Sequence, residues 1–269
     1  MAACAMCEKP LTFTPQADSD GSDADELQMV QEYPDDLALP CGCHLHWECL
    51  MGEAGEVAIS LACPVCKKHL ATNEPGPSAT NVVWHASQGV TIPVHYVSEG
   101  GVQEDYDILP DLTEEAYLQS HPEAVEARAF LSMVHDGDVV GIMDLLSEAP
   151  TQEGIDDTSL SFNALLRWQN PLANNRSALH VAVEDDKVDI FYMLLFLGSR
   201  LPEDAFPRPL LVSAQQSGMT RPPHIADPDI RALKDSNGET AEDYARRKGG
   251  SWAWLVETGI FSHVAPPEE

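Results

Sequence analysis

The stretch Cys41-Gly42-Cys43-His44-Leu45-His46-Trp47-Glu48-Cys49-Leu50 crowds three thiols and two imidazoles into one short segment. Two Cys-x-x-Cys pairs flank it, Cys4-Ala-Met-Cys7 and Cys63-Pro-Val-Cys66, and these complete the seven cysteines of the chain. Each such pair can turn back on itself so that both sulfurs reach one ion at about 2.3 Å, and structural zinc takes four Cys or His donors with no position left for water. Two closed tetrahedral sites need eight donors, so one histidine must join the cysteines. His46 is preferred, because its His-x-x-Cys spacing to Cys49 suits a shared site. A shift of the loop by a residue or two would put His44 in its place or in that of Cys43. Closed coordination excludes a zinc hydrolase. An odd cysteine count, all before residue 67, also argues for metal and against disulfides.

Outward from this cluster, the charge balance narrows the partners. With 44 acidic against 15 basic residues the formal charge is -29, which repels phosphate backbones and anionic lipid. Nucleic acid and membranes are therefore excluded as default partners; the densest basic stretch, Arg246-Arg247-Lys248, reads as a solvated helix end. The first residues show no basic start followed by an apolar run, and the longest apolar run, Ile190 to Leu197, is too short to span a bilayer. The expectation is a soluble, intracellular protein, cytoplasmic or nuclear. No His-Glu-x-x-His, phosphate-binding glycine loop or Gly-x-Ser-x-Gly elbow is present.

The ligand order and the segment 41–50 resemble the RING family, whose eight ligands run pair by pair around a Cys-Gly-His-x-x-His-x-x-Cys-Leu block; Cys43 stands where the family often has histidine. The resemblance implies a zinc-stabilised α+β RING domain over residues 1–70 with two zinc ions. Cys4, Cys7, His46 and Cys49 would hold one ion, and Cys41, Cys43, Cys63 and Cys66 the other. It departs from the family in the 33 residues between Cys7 and Cys41. Their acidic run Asp18 to Glu26 is too polar to offset its ordering entropy, so a disordered insertion is expected at about 14–32. Leu37-Ala-Leu39-Pro40 is the expected strand before the third ligand.

RING domains act as ubiquitin ligases by positioning a ubiquitin-conjugating enzyme and its thioester, without a catalytic nucleophile of their own. By resemblance the conjugating-enzyme contacts would be Met6, the helix from about Cys49 to Ser60, Pro64, Val65 and the cation Lys67. Glu53 falls where many active members carry a large apolar residue, which leaves Trp47 or Met51 to supply the bulk, unless Trp47 packs between the two zinc loops.

Turn formers over 71–80 mark a linker. Residues 81–123 read as a connecting segment with a hairpin between Val82-Val83-Trp84 and Val90 to Val97, then a helix announced by Asp111 and Thr113 and broken at His121-Pro122. From 124 to 263 the pattern is similar to ankyrin repeats, helix-turn-helix units of about 33 residues. The best copy is Asn175 to Ala182 with Glu184 to Leu195, and a second is Asp235 to Ala245 continuing to Leu255. Pro209-Leu-Leu-Val-Ser-Ala214 falls between them, so that Ala182, Ala214 and Ala245 recur at a near-constant interval, though Pro222, Pro223 and Pro228 interrupt its second helix. An earlier unit spans Phe130 to Leu146, with an apolar face of Val139, Ile142, Leu145 and Leu146 and an inserted loop, Pro150 to Asn170, after it. Residues 264–269 form a tail. The all-α alternative shares these apolar faces. The ankyrin resemblance implies a protein-binding surface with His180 in its core. The expected whole is a RING-type ubiquitin ligase that recruits a protein substrate; the alternative is a non-catalytic zinc-binding scaffold.

Overall fold

The computed structural model describes residues 3–14, 32–72, 89–150, 160–216, 219–222 and 228–262. Nearly all of the acidic insertion and of the 71–80 linker, the Val82–Trp84 strand, residues 151–159 of the inserted loop and the 264–269 tail lie outside these. The chain divides into two compact units, Met1–Ser120 and His121–Glu269. No described helix is long and apolar enough to cross a membrane.

In the first unit, β1 (Thr12–Phe13) pairs with β2 (Tyr33–Pro34). A four-stranded antiparallel sheet follows from β3 (Asp36–Ala38), β4 (His44–Leu45), β5 (Pro93–Ser98) and β6 (Gly101–Asp107) in the order β4-β3-β5-β6. β3 is short but central: Leu37 lies opposite Leu45 on one side and Tyr96 on the other, and is fully buried. Its neighbours in sequence are only half-buried, as strand alternation requires. Two short helices, α1 (Trp47–Met51) and α2 (Ala54–Ser60), follow β4, and α3 (Leu109–Ser120) packs along α2. The core joins Leu37, Leu45, Leu50 and Val57 from the cysteine-rich half to Ile92, Ile108 and Leu112 from the later segment.

This architecture differs from the expected connecting segment over 81–123, because residues 89–120 belong to the first unit. The strand foreseen over Val90 to Val97 pairs with β3 and with β6, through the two-residue turn Glu99-Gly100. β6 escapes a hydrophobicity reading because it is an edge strand with Gln103, Glu104 and Asp105 exposed, and such charge guards an edge against further pairing. α3 starts at Leu109, ahead of the Asp111 and Thr113 signals. The Asp107 carboxylate accepts from the N–H groups of Leu109 and Ile92, and Thr113 is buried inside the helix with its hydroxyl bonded to Leu109 O.

The second unit is built on helix pairs. α4 (Ala124–Asp136) turns through Gly137, φ 89°, into α5 (Val139–Glu148), whose cap Asp138 accepts from Gly141 N–H at 2.9 Å. The segment expected as a loop from Pro150 to Asn170 contains α6 (Phe162–Arg167) and β7 (Gln169–Asn170), which pairs with β8 (Arg176–Ser177). α7 (Ala178–Glu184) and α8 (Val188–Gly198) form the second pair; α10 (Ala241–Lys248) and α11 (Ser251–Glu257) form the third. α7 packs against both α4 and α10. α8 is buried on nearly all sides, and at its end a side chain on Gly198 would meet Ile230 at 2.9 Å.

The middle copy does not take the position its spacing suggests. α9 (Arg208–Gln216), which carries Ala214, packs on α8, while α10 meets α7 directly. Recurrence of a small residue marks a close helix approach only where two helices actually meet. Val139 is likewise 40 % exposed and turned away from the core that holds Ile142 and Leu146.

Candidate metal centre

Two knuckles of the same build carry the outer cysteine pairs. In the first, Glu8 N–H donates to Cys4 O and Cys4 N–H to Lys9 O, both at 2.9 Å. In the second, Lys67 N–H donates to Cys63 O and Cys63 N–H to Lys68 O, again at 2.9 Å. A one-residue bridge closes each base, Ala3 to Pro10 and Ala62 to His69. The residue after each second cysteine adopts a left-handed backbone, Glu8 at φ 63° and Lys67 at φ 59°, although neither is glycine. Such strain persists where surrounding bonds over-determine the turn.

The inner donors come from the β3–β4 turn and α1. Gly42, at φ 88°, donates to Leu39 O and Leu39 N–H to Cys43 O, so the turn holds Cys41 and Cys43 on either side of the glycine. His46 stands immediately before α1 and Cys49 lies within it. Ala5 N–H donates to His44 O at 2.9 Å and ties the first knuckle to β4.

All eight candidate donors are brought together, in two sets. The ligand atoms of Cys4, Cys7, His46 and Cys49 lie within 4.8 Å of one another, and so do those of Cys41, Cys43, Cys63 and Cys66. Donors arranged tetrahedrally at about 2.3 Å from one ion stand roughly 3.8 Å apart, so each set could hold a metal ion. Thiolate and imidazole donors are consistent with zinc and unlike the all-oxygen sites of magnesium or calcium.

His46 presents Nδ1 to the sulfurs of Cys7, at 3.3 Å, and Cys49, at 3.7 Å. Its Nε2 lies 2.7 Å from Pro10 O and must carry the proton that this carbonyl accepts. That assignment leaves the Nδ1 lone pair free for a metal. His44 instead places Nδ1 2.6 Å from Asp36 Oδ1 and joins neither set. The Pro10 carbonyl had no sequence signal, because any residue supplies one.

The free thiols differ widely in acidity. Burial opposes ionisation of Cys4, but the N–H groups of Cys7, His46 and Met6 outweigh it and bring its pKa down to about 6. The N–H of Lys68 brings Cys66 down to about 7. Cys43 and Cys49 are each pushed up to about 12, by burial first and then by neighbouring thiols. A cation that binds all of them as thiolates must displace protons, so acid opposes loading.

The expected contact residues are distributed unevenly. Met6 and Val65 are exposed at the two knuckle tips, 37 % and 40 %, and Pro64 is half-buried beside Val65. Lys67 is exposed and its Nζ lies 2.7 Å from Glu56 Oε1. The expected continuous helix from Cys49 to Ser60 is two helices, α1 and α2. Ala54, Val57 and Ala58 of α2 are buried, and Gln119 of α3 donates to Met51 O. Met51 is buried, and the Trp47 ring lies 5.3 Å from that of Tyr96, so the tryptophan packs against β5. The backbone N–H of Trp47 and the Tyr96 hydroxyl both donate to Asp35.

Comparison with known proteins found no matching family model, no matching curated protein and no matching solved structure.

Proposed function

We propose that this chain is a RING-type ubiquitin ligase that carries one zinc ion in each donor set and recruits a protein substrate through its second unit. The observation that carries the reading is the interleaving of the sets: the first and third donor pairs in the chain share one site, the second and fourth the other. Such crossing makes the sites mutually dependent and sets Met6 and Val65 at the tips of the two knuckles. Zinc would fix these loops and no more; this chain's own contribution to transfer is to hold a conjugating enzyme in a productive orientation.

The second unit is read as degenerate ankyrin-like repeats. Two of its helix pairs open with reciprocal caps, Ser177 with His180 and Thr240 with Asp243, and His180 Nε2 reaches Glu239 O of the following unit at 3.1 Å. These bonds support a stack of similar units, whose exposed surfaces suit protein recognition.

The scaffold reading has its own support. α3 lies along α2, Trp47 and Met51 are committed to packing, and Lys67 is paired with Glu56, which leaves little bulk on the helices for an enzyme partner. Autoubiquitination by the zinc-loaded chain across a panel of conjugating enzymes separates the two. Chains that form with the wild type and are lost in Met6→Ala and Cys63→Ala support the ligase. Absence of chains with every enzyme, while two zinc ions stay bound per molecule, transfers the reading to the scaffold.

A further inference from the structure

A groove in the second unit lies between α8 and α9, with the first turn of α5 at its rim. Its volume is about 480 Å³, within the roughly 300–1,000 Å³ of sites that enclose ligands. Val188, Met193, Leu210 and Met219 give it apolar walls. Apolar surface continues past the rim, where Val139 is 40 % and Val140 70 % exposed.

Three polar residues interrupt these walls: Ser213 of α9, Asp189 in the first turn of α8, and Tyr192 three residues on from Asp189 on the same helix face. Neither the Asp189 carboxylate nor the Tyr192 hydroxyl has a hydrogen-bond or ion-pair partner among the described residues. Nearby acids are engaged: Asp138 caps α5, Asp185 holds His135, and Asp186 holds Lys248 and the Trp252 ring nitrogen. Beside Ser213, which has a partner, the lining therefore offers one anion and one hydroxyl that are unpaired among the described residues, on a largely apolar surface.

We infer that the groove seats an amphipathic protein segment, whose apolar face fills the walls and whose Lys or Arg pairs with Asp189 beside the Tyr192 hydroxyl. A charge-assisted pair at this place selects for a cation and against an anion. The net charge of -29 draws a basic partner from a distance and repels an acidic one. Apolar surface beyond the rim favours an extended segment over a compact small molecule. The inference rests on the proposed recruitment of a protein through the second unit and names the chemistry of that contact; it does not depend on ubiquitin transfer.

The test is selection of random short peptides against the immobilised, zinc-loaded full chain, followed by fluorescence anisotropy on those enriched. Enriched peptides are expected to combine aliphatic residues with a Lys or Arg at a fixed offset. Asp189→Lys should weaken them by about tenfold or more, and fresh selection against that variant should favour Asp or Glu at the same offset. Ser213→Trp, from an exposed position on α9 that lines the groove, should abolish binding with an unchanged circular dichroism spectrum. No enrichment, enrichment without a cation, or binding indifferent to both substitutions overturns the inference.

Discussion

Hydrogen bonds separate His46, at the start of α1, from His44, two residues earlier in β4. Pro10 O takes the Nε2 proton of His46 and aims Nδ1 at the sulfurs, whereas Asp36 engages Nδ1 of His44. His46→Ala should therefore lower bound zinc from two ions per chain toward one, and His44→Ala should leave both, as read by elemental analysis of the purified protein. Equal loss in the two variants would contradict the donor assignment. In the second unit His180 is fully buried, and burial pushes its pKa down, although Glu239 O and nearby acids pull the other way. A histidine with a depressed folded pKa binds fewer protons folded than unfolded, so its stabilising share is whole above about 6.5 and is lost as pH falls from there through the folded pKa. The melting temperature of this unit should drop as pH falls below about 6.5, and His180→Gln should flatten that slope while lowering the plateau. A slope unchanged in His180→Gln would assign it to other groups. Asp229 follows at lower pH: burial opposes its charge, but Arg231 and the N–H groups of Arg200 and Arg231 hold its pKa down. Its share persists until pH falls below the ordinary carboxylate range of about 4.

Among the elements, β5, β6 and α3 change the meaning of the cysteine-rich region. Leu37 is covered on one side by β5, and the inner face of α2 by α3, so a fragment ending at residue 70 would bare both. Apolar burial contributes about 25 cal/mol per Å², and a small zinc-bound core has little to spare. Residues 1–120 loaded with zinc should melt cooperatively, while residues 1–70 with the same metal should melt at least several degrees lower and bind a hydrophobic dye. Equal melting would show that the later segment adds nothing. Within this unit Leu112→Ala, which empties a fully buried position on α3, should cost about 2–5 kcal/mol in denaturant titration.

Over the whole molecule, the proposed metal and hydrophobic burial would divide the work. The first unit contains both donor sets, while the second rests on an extensive core around Phe130, Phe191 and Trp252. Chelation should therefore abolish amide protection across the first unit and leave α7, α8 and α10 protected, measured by hydrogen exchange with mass readout. Loss of protection in both would refute a metal-independent second unit. The ligand types and their spacing were legible in the chain because metal binding draws on few side chains, and Cys-x-x-Cys is a local geometry. Helices such as α7 and α8 were legible from apolar periodicity, in the stretches Asn175 to Ala182 and Glu184 to Leu195. His46 was preferred over His44 from its spacing to Cys49, and the Pro10 carbonyl that orients its ring is brought near by folding alone. β6 was hidden because an edge strand buries little, and α9 was misplaced because equal spacing does not reveal which helices touch. Sequence carries what short-range chemistry decides; pairings between distant segments, such as Leu37 with Tyr96 or α7 with α10, follow from competition among all available burials at once, which no local pattern records.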